Sequence, residues 1–123
     1  MFEISRNGIV TLSRGDSFEF SVFINLGTLL EPVQYFLEEG DKLYFALMEP
    51  NHPFEAALIR KVYTKDDMDE SGNVIMKFVP EDTEYLLPGT YYYMVKLLRP
   101  AKESGESDKV DTIISKTKFA IVD

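Results

Sequence analysis

His52 is the only histidine of the 123-residue chain, and there is no cysteine. An imidazole can serve as a general base only if a nucleophile lies within hydrogen-bond reach, and a structural zinc ion needs about four Cys or His donors. Neither partner set is legible. Pro50-Asn51-His52-Pro53 reads as a turn in which His52 is a solvated residue. The lack of cysteine also removes disulfides and thiolate nucleophiles, and leaves the redox compartment unspecified.

Carboxylates are the other groups with catalytic potential. Asp67-Met68-Asp69-Glu70-Ser71-Gly72 partly matches a calcium loop, because carboxylates two apart can converge on one hard cation. The bidentate Glu required at the twelfth position is missing; Phe78 stands there, so the run reads as an acidic turn. Glu38-Glu39 and Asp66-Asp67 are adjacent and diverge, whereas glycosidase chemistry needs two carboxyls ~5 to ~9 Å apart across a cleft. No catalytic group, cofactor site or metal set is expected.

Charge and hydropathy narrow the partners. Thirteen basic against 21 acidic residues give a net charge of −8, which repels phosphate backbones unless a local basic patch exists. The strongest basic pairing, Arg60-Lys61, lies in a strand-like run without interleaved aromatics, so no nucleic-acid partner is expected. No apolar run approaches the ~20 residues that span a bilayer, and the first ten residues lack the basic-then-apolar pattern of a secretory signal. Neither membrane insertion nor that export signal is expected.

A period of two in hydrophobicity dominates the chain and predicts strands buried on one face. It is clearest over Ser17–Leu26, where Phe18, Phe20, Val22 and Ile24 point one way and only Phe23 breaks the pattern. Ile9–Ser13 precedes it through an Arg14-Gly15-Asp16 turn, and Val33–Leu37 reads as a short extended piece. Asp41–Glu49 turns Leu43, Phe45 and Leu47 inward, and Ala56–Tyr63 reads as an edge strand. Asn73–Val79 follows it as the second arm of a hairpin, with Val74, Met76 and Phe78 on one side. A helical turn is expected over Glu81–Leu86. Thr90–Arg99 points Tyr91, Tyr93, Val95 and Leu97 inward. A charged loop over Pro100–Lys109 leads to the last strand, Val110–Val122, with Ile113, Phe119 and Ile121 in the core. Seven strands with turn signals between them predict an all-β, antiparallel, immunoglobulin-like β-sandwich in one domain over 1–123.

The same alternation leaves an unusual outward set. Asp41–Glu49 presents Tyr44, Ala46 and Met48, and Thr90–Arg99 presents Tyr92, Met94 and Leu98. These strands are neighbours in an immunoglobulin-like order, so Tyr44, Met48, Tyr92, Met94 and Leu98 are expected to merge into a patch for a protein partner or a second copy. Cover by the chain's own Gly27–Gly40 segment is the competing expectation.

Pro80–Tyr93 resembles the Asp-x-x-x-Leu-x-x-Gly-x-Tyr-x-Tyr corner of many immunoglobulin-like domains, with Asp82, Gly89 and Tyr91 at the matching positions. The resemblance implies that the Tyr91 phenol bonds back to the preceding corner. The disulfide and core Trp of antibody domains are absent. Over most of its length the chain also resembles small virion proteins of tailed bacteriophages, including the immunoglobulin-like N-terminal domain of upper baseplate proteins. The matching features, in order, are Ile-Val-Thr-Leu-Ser-Arg-Gly-Asp, Glu-Gly-Asp-Lys-Leu-Tyr-Phe, Pro-Glu-Asp-Thr with Pro-Gly-Thr-Tyr-Tyr-Tyr, and Lys-Thr-Lys-Phe-Ala-Ile. This resemblance implies a non-enzymatic structural or adaptor role in a phage or prophage particle, located in the virion or in the host cytoplasm before assembly. A bacterial surface or carbohydrate-binding β-sandwich is the alternative.

Overall fold

The runs of alternating side chains form eight strands in the computed structural model, which describes residues Met1–Asp123. They are β1 (Phe2–Ile4), β2 (Val10–Ser13), β3 (Phe18–Val22), β4 (Lys42–Met48), β5 (Ile59–Tyr63), β6 (Val74–Phe78), β7 (Gly89–Arg99) and β8 (Lys109–Val122). Six of them make one sheet in the order β1-β2-β8-β7-β4-β5, and β3 pairs with β6 in a second, two-stranded sheet. This is a sandwich-like all-β fold. β3 and β6 face β4, β7 and β8 across the core.

Packing explains the division. Leu43, Phe45 and Leu47 of β4, Tyr91, Tyr93, Val95 and Leu97 of β7, and Phe119 and Ile121 of β8 are buried on one face of the large sheet. Phe18, Val22, Val74, Met76 and Phe78 close over them from the small sheet. Phe78 joins the two layers. It stacks on its cross-strand partner Phe18 at 4.4 Å between centroids and meets Phe45 edge-on at 4.9 Å. The inner row continues from Phe45 to Tyr93 at 5.6 Å, and from Tyr93 to Phe119 at 6.0 Å. Each such pair adds about 0.5–1.5 kcal/mol beyond area burial, so the aromatic layer specifies how the sheets meet as well as burying surface.

Five features differ from the sequence-based expectation. The sheet is mixed rather than antiparallel, because β2 runs parallel to β8, with Val10 opposite Phe119 and Leu12 opposite Ile121. An additional strand, β1, folds back on β2 and stacks Phe2 on Phe18 at 4.7 Å. β5 and β6 are not a hairpin: β5 is the outer edge of the large sheet beyond β4, and the chain crosses to the small sheet through the acidic turn before β6. Val33–Leu37 is not a strand; only Gln34 bridges back, to Asn25, while Leu37 enters the core. The helical turn expected over Glu81–Leu86 forms slightly earlier, as a 3₁₀ turn at Pro80–Asp82.

The buried phenols are a pH-sensitive part of this core. Desolvation pushes Tyr63 up to about 12, with the Asp82 charge adding to it, and desolvation raises Tyr93 as well. The folded state therefore favours the neutral phenols. Their contribution is complete below the unfolded value of ~10 and is lost as pH rises from there towards the folded values. The urea midpoint is expected to fall between pH ~9 and pH ~12, and to fall less steeply in Tyr63→Phe. Equal slopes in the two proteins would show that Tyr63 contributes nothing to the alkaline loss.

Candidate functional site

The outer face of the large sheet is built by strand register. Across β4 and β7, Lys42 pairs with Leu98, Tyr44 with Lys96, Ala46 with Met94 and Met48 with Tyr92. β5 extends these rows with Val62 and Arg60, and β8 with Val110, Thr112 and Lys118. The neighbouring strands expected from sequence are thus neighbours, and Tyr44, Tyr92, Met94 and Leu98 lie together, half-buried.

Met48 does not belong to the exposed part. It and Ala46 are fully buried, although they face away from the main core. The Gly27–Gly40 segment is not what covers this face. The chain between β4 and β5 folds back across it instead, through the 3₁₀ turn Phe54–Ala56. Leu58 donates its N–H to Leu47 O at 2.7 Å, Arg60 donates to Phe54 O at 3.1 Å, and the Lys116 ammonium donates to His52 O at 3.2 Å. The Asn51 backbone at φ 65 lets the chain reverse at the start of this segment.

The face also gathers positive charge, contrary to the expectation of no local basic patch. Lys42, Arg60, Lys96, Lys116 and Lys118 all project from it, and none forms an ion pair. Three sit over aromatic rings: Lys96 at 4.7 Å and Arg60 at 5.0 Å from the Phe54 centroid, and Lys116 at 5.6 Å from that of Tyr92. Ring faces hold the cations in place without neutralising them, each contact contributing about 0.5–1 kcal/mol at exposed sites. Tyr44, Phe54, Leu98 and Val110 border a mostly apolar recess of about 220 Å³, whose lining also includes Lys96 and Glu55.

The expected corner takes the implied form. Tyr91 is buried at its ring and donates its hydroxyl to Leu87 O at 2.5 Å. Asp82 accepts from Val79 N–H at 2.8 Å and pairs with Lys61 at 2.8 Å, which anchors the turn to β5. Thr83, also buried, accepts from Gly15 N–H at 3.0 Å and ties the corner to the turn between β2 and β3. Gly89 opens β7.

Most of the groups considered for chemistry have structural partners. His52 Nδ1 lies 3.1 Å from Glu49 Oε2, both half-exposed, and no hydroxyl bonds the ring. In the acidic turn, Asp67 caps Thr64 N–H at 2.8 Å, while Asp69 accepts from Ser71 and Asn73 N–H at 2.8 and 3.0 Å. No three acidic or histidine side chains converge as a metal set. A polar recess of about 290 Å³ at the end of the sandwich contains Tyr35, Glu38, Asp41, Arg99 and Lys102. Its charges pair off: Tyr35 donates to the buried Asp41, Lys102 meets Glu38 at 2.7 Å, and Arg99 meets Asp111 at 2.8 Å. Desolvation, reinforced by the Asp41 hydrogen bond, raises the Tyr35 phenol, so it stays protonated. No helix is long and apolar enough to cross a membrane.

No family model, no characterised protein and no solved structure matches this chain.

The corner has a direct test. Tyr91→Phe keeps the ring and removes a hydroxyl whose partner is a carbonyl, so a loss of about 0.5–1.5 kcal/mol is expected in denaturant titration. Tyr92→Phe, on the outer face, is the control and is expected to change stability little. Equal losses in the two would show that the corner bond contributes nothing of its own.

Proposed function

We propose that this chain is a non-enzymatic assembly module, a structural or adaptor protein of a phage or prophage particle that binds other protein surfaces through the outer face of its large sheet. The observation that carries the reading is the composition of that face. Tyr44, Tyr92, Met94 and Leu98 lie half-exposed beside cations held on rings rather than paired with carboxylates. Interface cores favour aromatic residues, Met and Arg, and a face that keeps its cations unpaired is prepared for an acidic partner surface. The phage setting comes from the motif resemblance alone. The contacts of His52 with Glu49 and of Glu38 and Glu39 with lysines, and the backbone capping by Asp67 and Asp69, support the non-catalytic part of the reading, since these groups already serve the fold.

Lysine beside aromatic rings is also how single-stranded nucleic acid is held, so that outcome belongs in the test. Purified protein examined by light scattering is expected to show a mass above that of one chain, lowered by Tyr92→Lys with Met94→Lys. The protein is also expected in particles purified after prophage induction. A monomer absent from particles, whose melting temperature rises with glycans or which retains a labelled oligonucleotide at low salt, would contradict the proposal.

A further inference from the structure

Two leucines sit where a turn ordinarily carries polar residues. Leu29 and Leu30 are 97% and 95% exposed at the tip of the loop between β3 and β4. The central positions of tight turns favour Gly, Pro, Asn, Asp and Ser, so a Leu pair there is a departure that turn chemistry does not require. The tip is also firmly built. Asn25 Oδ1 accepts from Gly27 N–H at 2.8 Å and from Val33 N–H at 3.0 Å, closing the base of the loop. Thr28 N–H donates to Glu31 O at 3.1 Å, and Thr28 Oγ1 accepts from Glu31 N–H at 3.0 Å. Gly27 has no space for a side chain, since a Cβ would lie 2.2 Å from Glu31 O. A pre-ordered apolar knob loses little conformational entropy when it docks, which is what makes such a tip effective.

The same molecule carries a receptor for it. The recess bordered by Tyr44, Phe54, Leu98 and Val110, at about 220 Å³, is smaller than the ~300–1,000 Å³ of typical small-molecule pockets and suits a docked side chain better. Val110 at its rim is 62% exposed. Lys96 lines it together with Glu55, and Lys42 stands opposite Leu98 in register; neither lysine forms an ion pair, while the knob carries Glu31 next to its leucines. Knob and recess therefore match in apolar character, and the two lysines outnumber the one carboxylate beside the recess. They also share one end of the sandwich: the loop enters β4 at Lys42, which pairs with Leu98, which in turn pairs with Val110. Two sites at one end can both be satisfied by a single two-fold axis, the commonest closed arrangement of identical chains.

We infer that the chain forms a two-fold dimer in which Leu29 and Leu30 of each copy insert into the Tyr44–Phe54–Leu98–Val110 recess of the other, with Glu31 against Lys42 and Lys96. This rests on the reading of the outer face as an assembly surface and names a second copy of the chain as its partner. Light scattering on four samples tests it: wild type, Leu29→Asp with Leu30→Asp, Lys42→Glu with Val110→Asp, and an equimolar mixture of the two variants. All four substituted side chains are exposed, so folding is preserved, and Leu29→Ala with Leu30→Ala provides a milder knob variant. Wild type is expected at twice the 14.1 kDa of one chain, and each variant alone at 14.1 kDa. The mixture is expected to regain the dimer mass, at least tenfold more weakly than wild type, because one intact knob still meets one intact recess. A dimer that persists in either variant, or a mixture that stays monomeric, overturns the knob and recess assignment. A monomeric wild type that is nonetheless found in purified particles overturns self-docking and leaves the assembly role standing.

Discussion

The contact on which the structure depends is the meeting of Phe78 with Phe18 and Phe45. β3 and β6 form a sheet of only two strands, and a two-stranded sheet is marginal in water by itself. No turn fixes its register either, because Phe18–Val22 and Val74–Phe78 come from distant parts of the chain. What fixes it is the inner row. Phe18 stacks on Phe78 across the pair, Val22 faces Val74, and sliding by one residue would turn that whole set towards solvent. Phe45 and Tyr93 then receive the edge of this row from the large sheet. Tyr93 carries the constraint further, since its hydroxyl donates to Gly8 O at 2.5 Å and holds the turn between β1 and β2. Gly8 adopts φ 81, which favours glycine, and an added Cβ would crowd that hydroxyl at 3.0 Å.

A large sheet locked from behind can carry an unusual front. The outer face concentrates cations on a chain of net charge −8, and the acidic residues lie mainly in loops and turns elsewhere. Where those loops contain lysines, the pairs are made: Lys65 with Glu39 at 2.6 Å and Lys102 with Glu38 at 2.7 Å. Exposed pairs of that kind contribute little to stability. The unpaired cations over Phe54 and Tyr92 differ, because their charge remains available to a surface that approaches from outside. In the proposed assembly role, attraction of this kind would speed encounter and select orientation more than it adds affinity, while the tyrosines, Met94 and the leucines would supply the area to be buried.

Much of the core was legible because alternation reports facing directly. Phe18, Phe20 and Val22, then Leu43, Phe45 and Leu47, then Tyr91, Tyr93, Val95 and Leu97 point inward as their spacing requires. The Tyr91 corner was legible through its local motif, since the bond to Leu87 spans four residues. Alternation says nothing of which strand lies beside which, so the parallel pairing of β2 with β8 and the crossing from β5 to β6 were hidden. Strand order also concealed the basic cluster. Lys42, Lys96 and Lys118 are far apart in sequence, yet they share the outward phase of Tyr44 and Tyr92, a signal available only once the order is known. Met48 was misplaced for a different reason: its strand facing is outward as read, but the path of the β4–β5 connection buries it.

Native-state hydrogen exchange tests most directly whether the aromatic layer makes the two sheets one cooperative unit. Amides in the β3–β6 ladder, such as those of Phe20 and Met76, are expected to exchange only through global unfolding, with the same free energy as protected amides of Phe45 and Val95 in the large sheet. In Phe78→Ala both groups are expected to fall together, by about 3–5 kcal/mol. Exchange of the β3–β6 amides at clearly lower free energy than those of β4 and β7 in the unaltered protein would contradict the account, because the small sheet would then open independently of the core it is said to close.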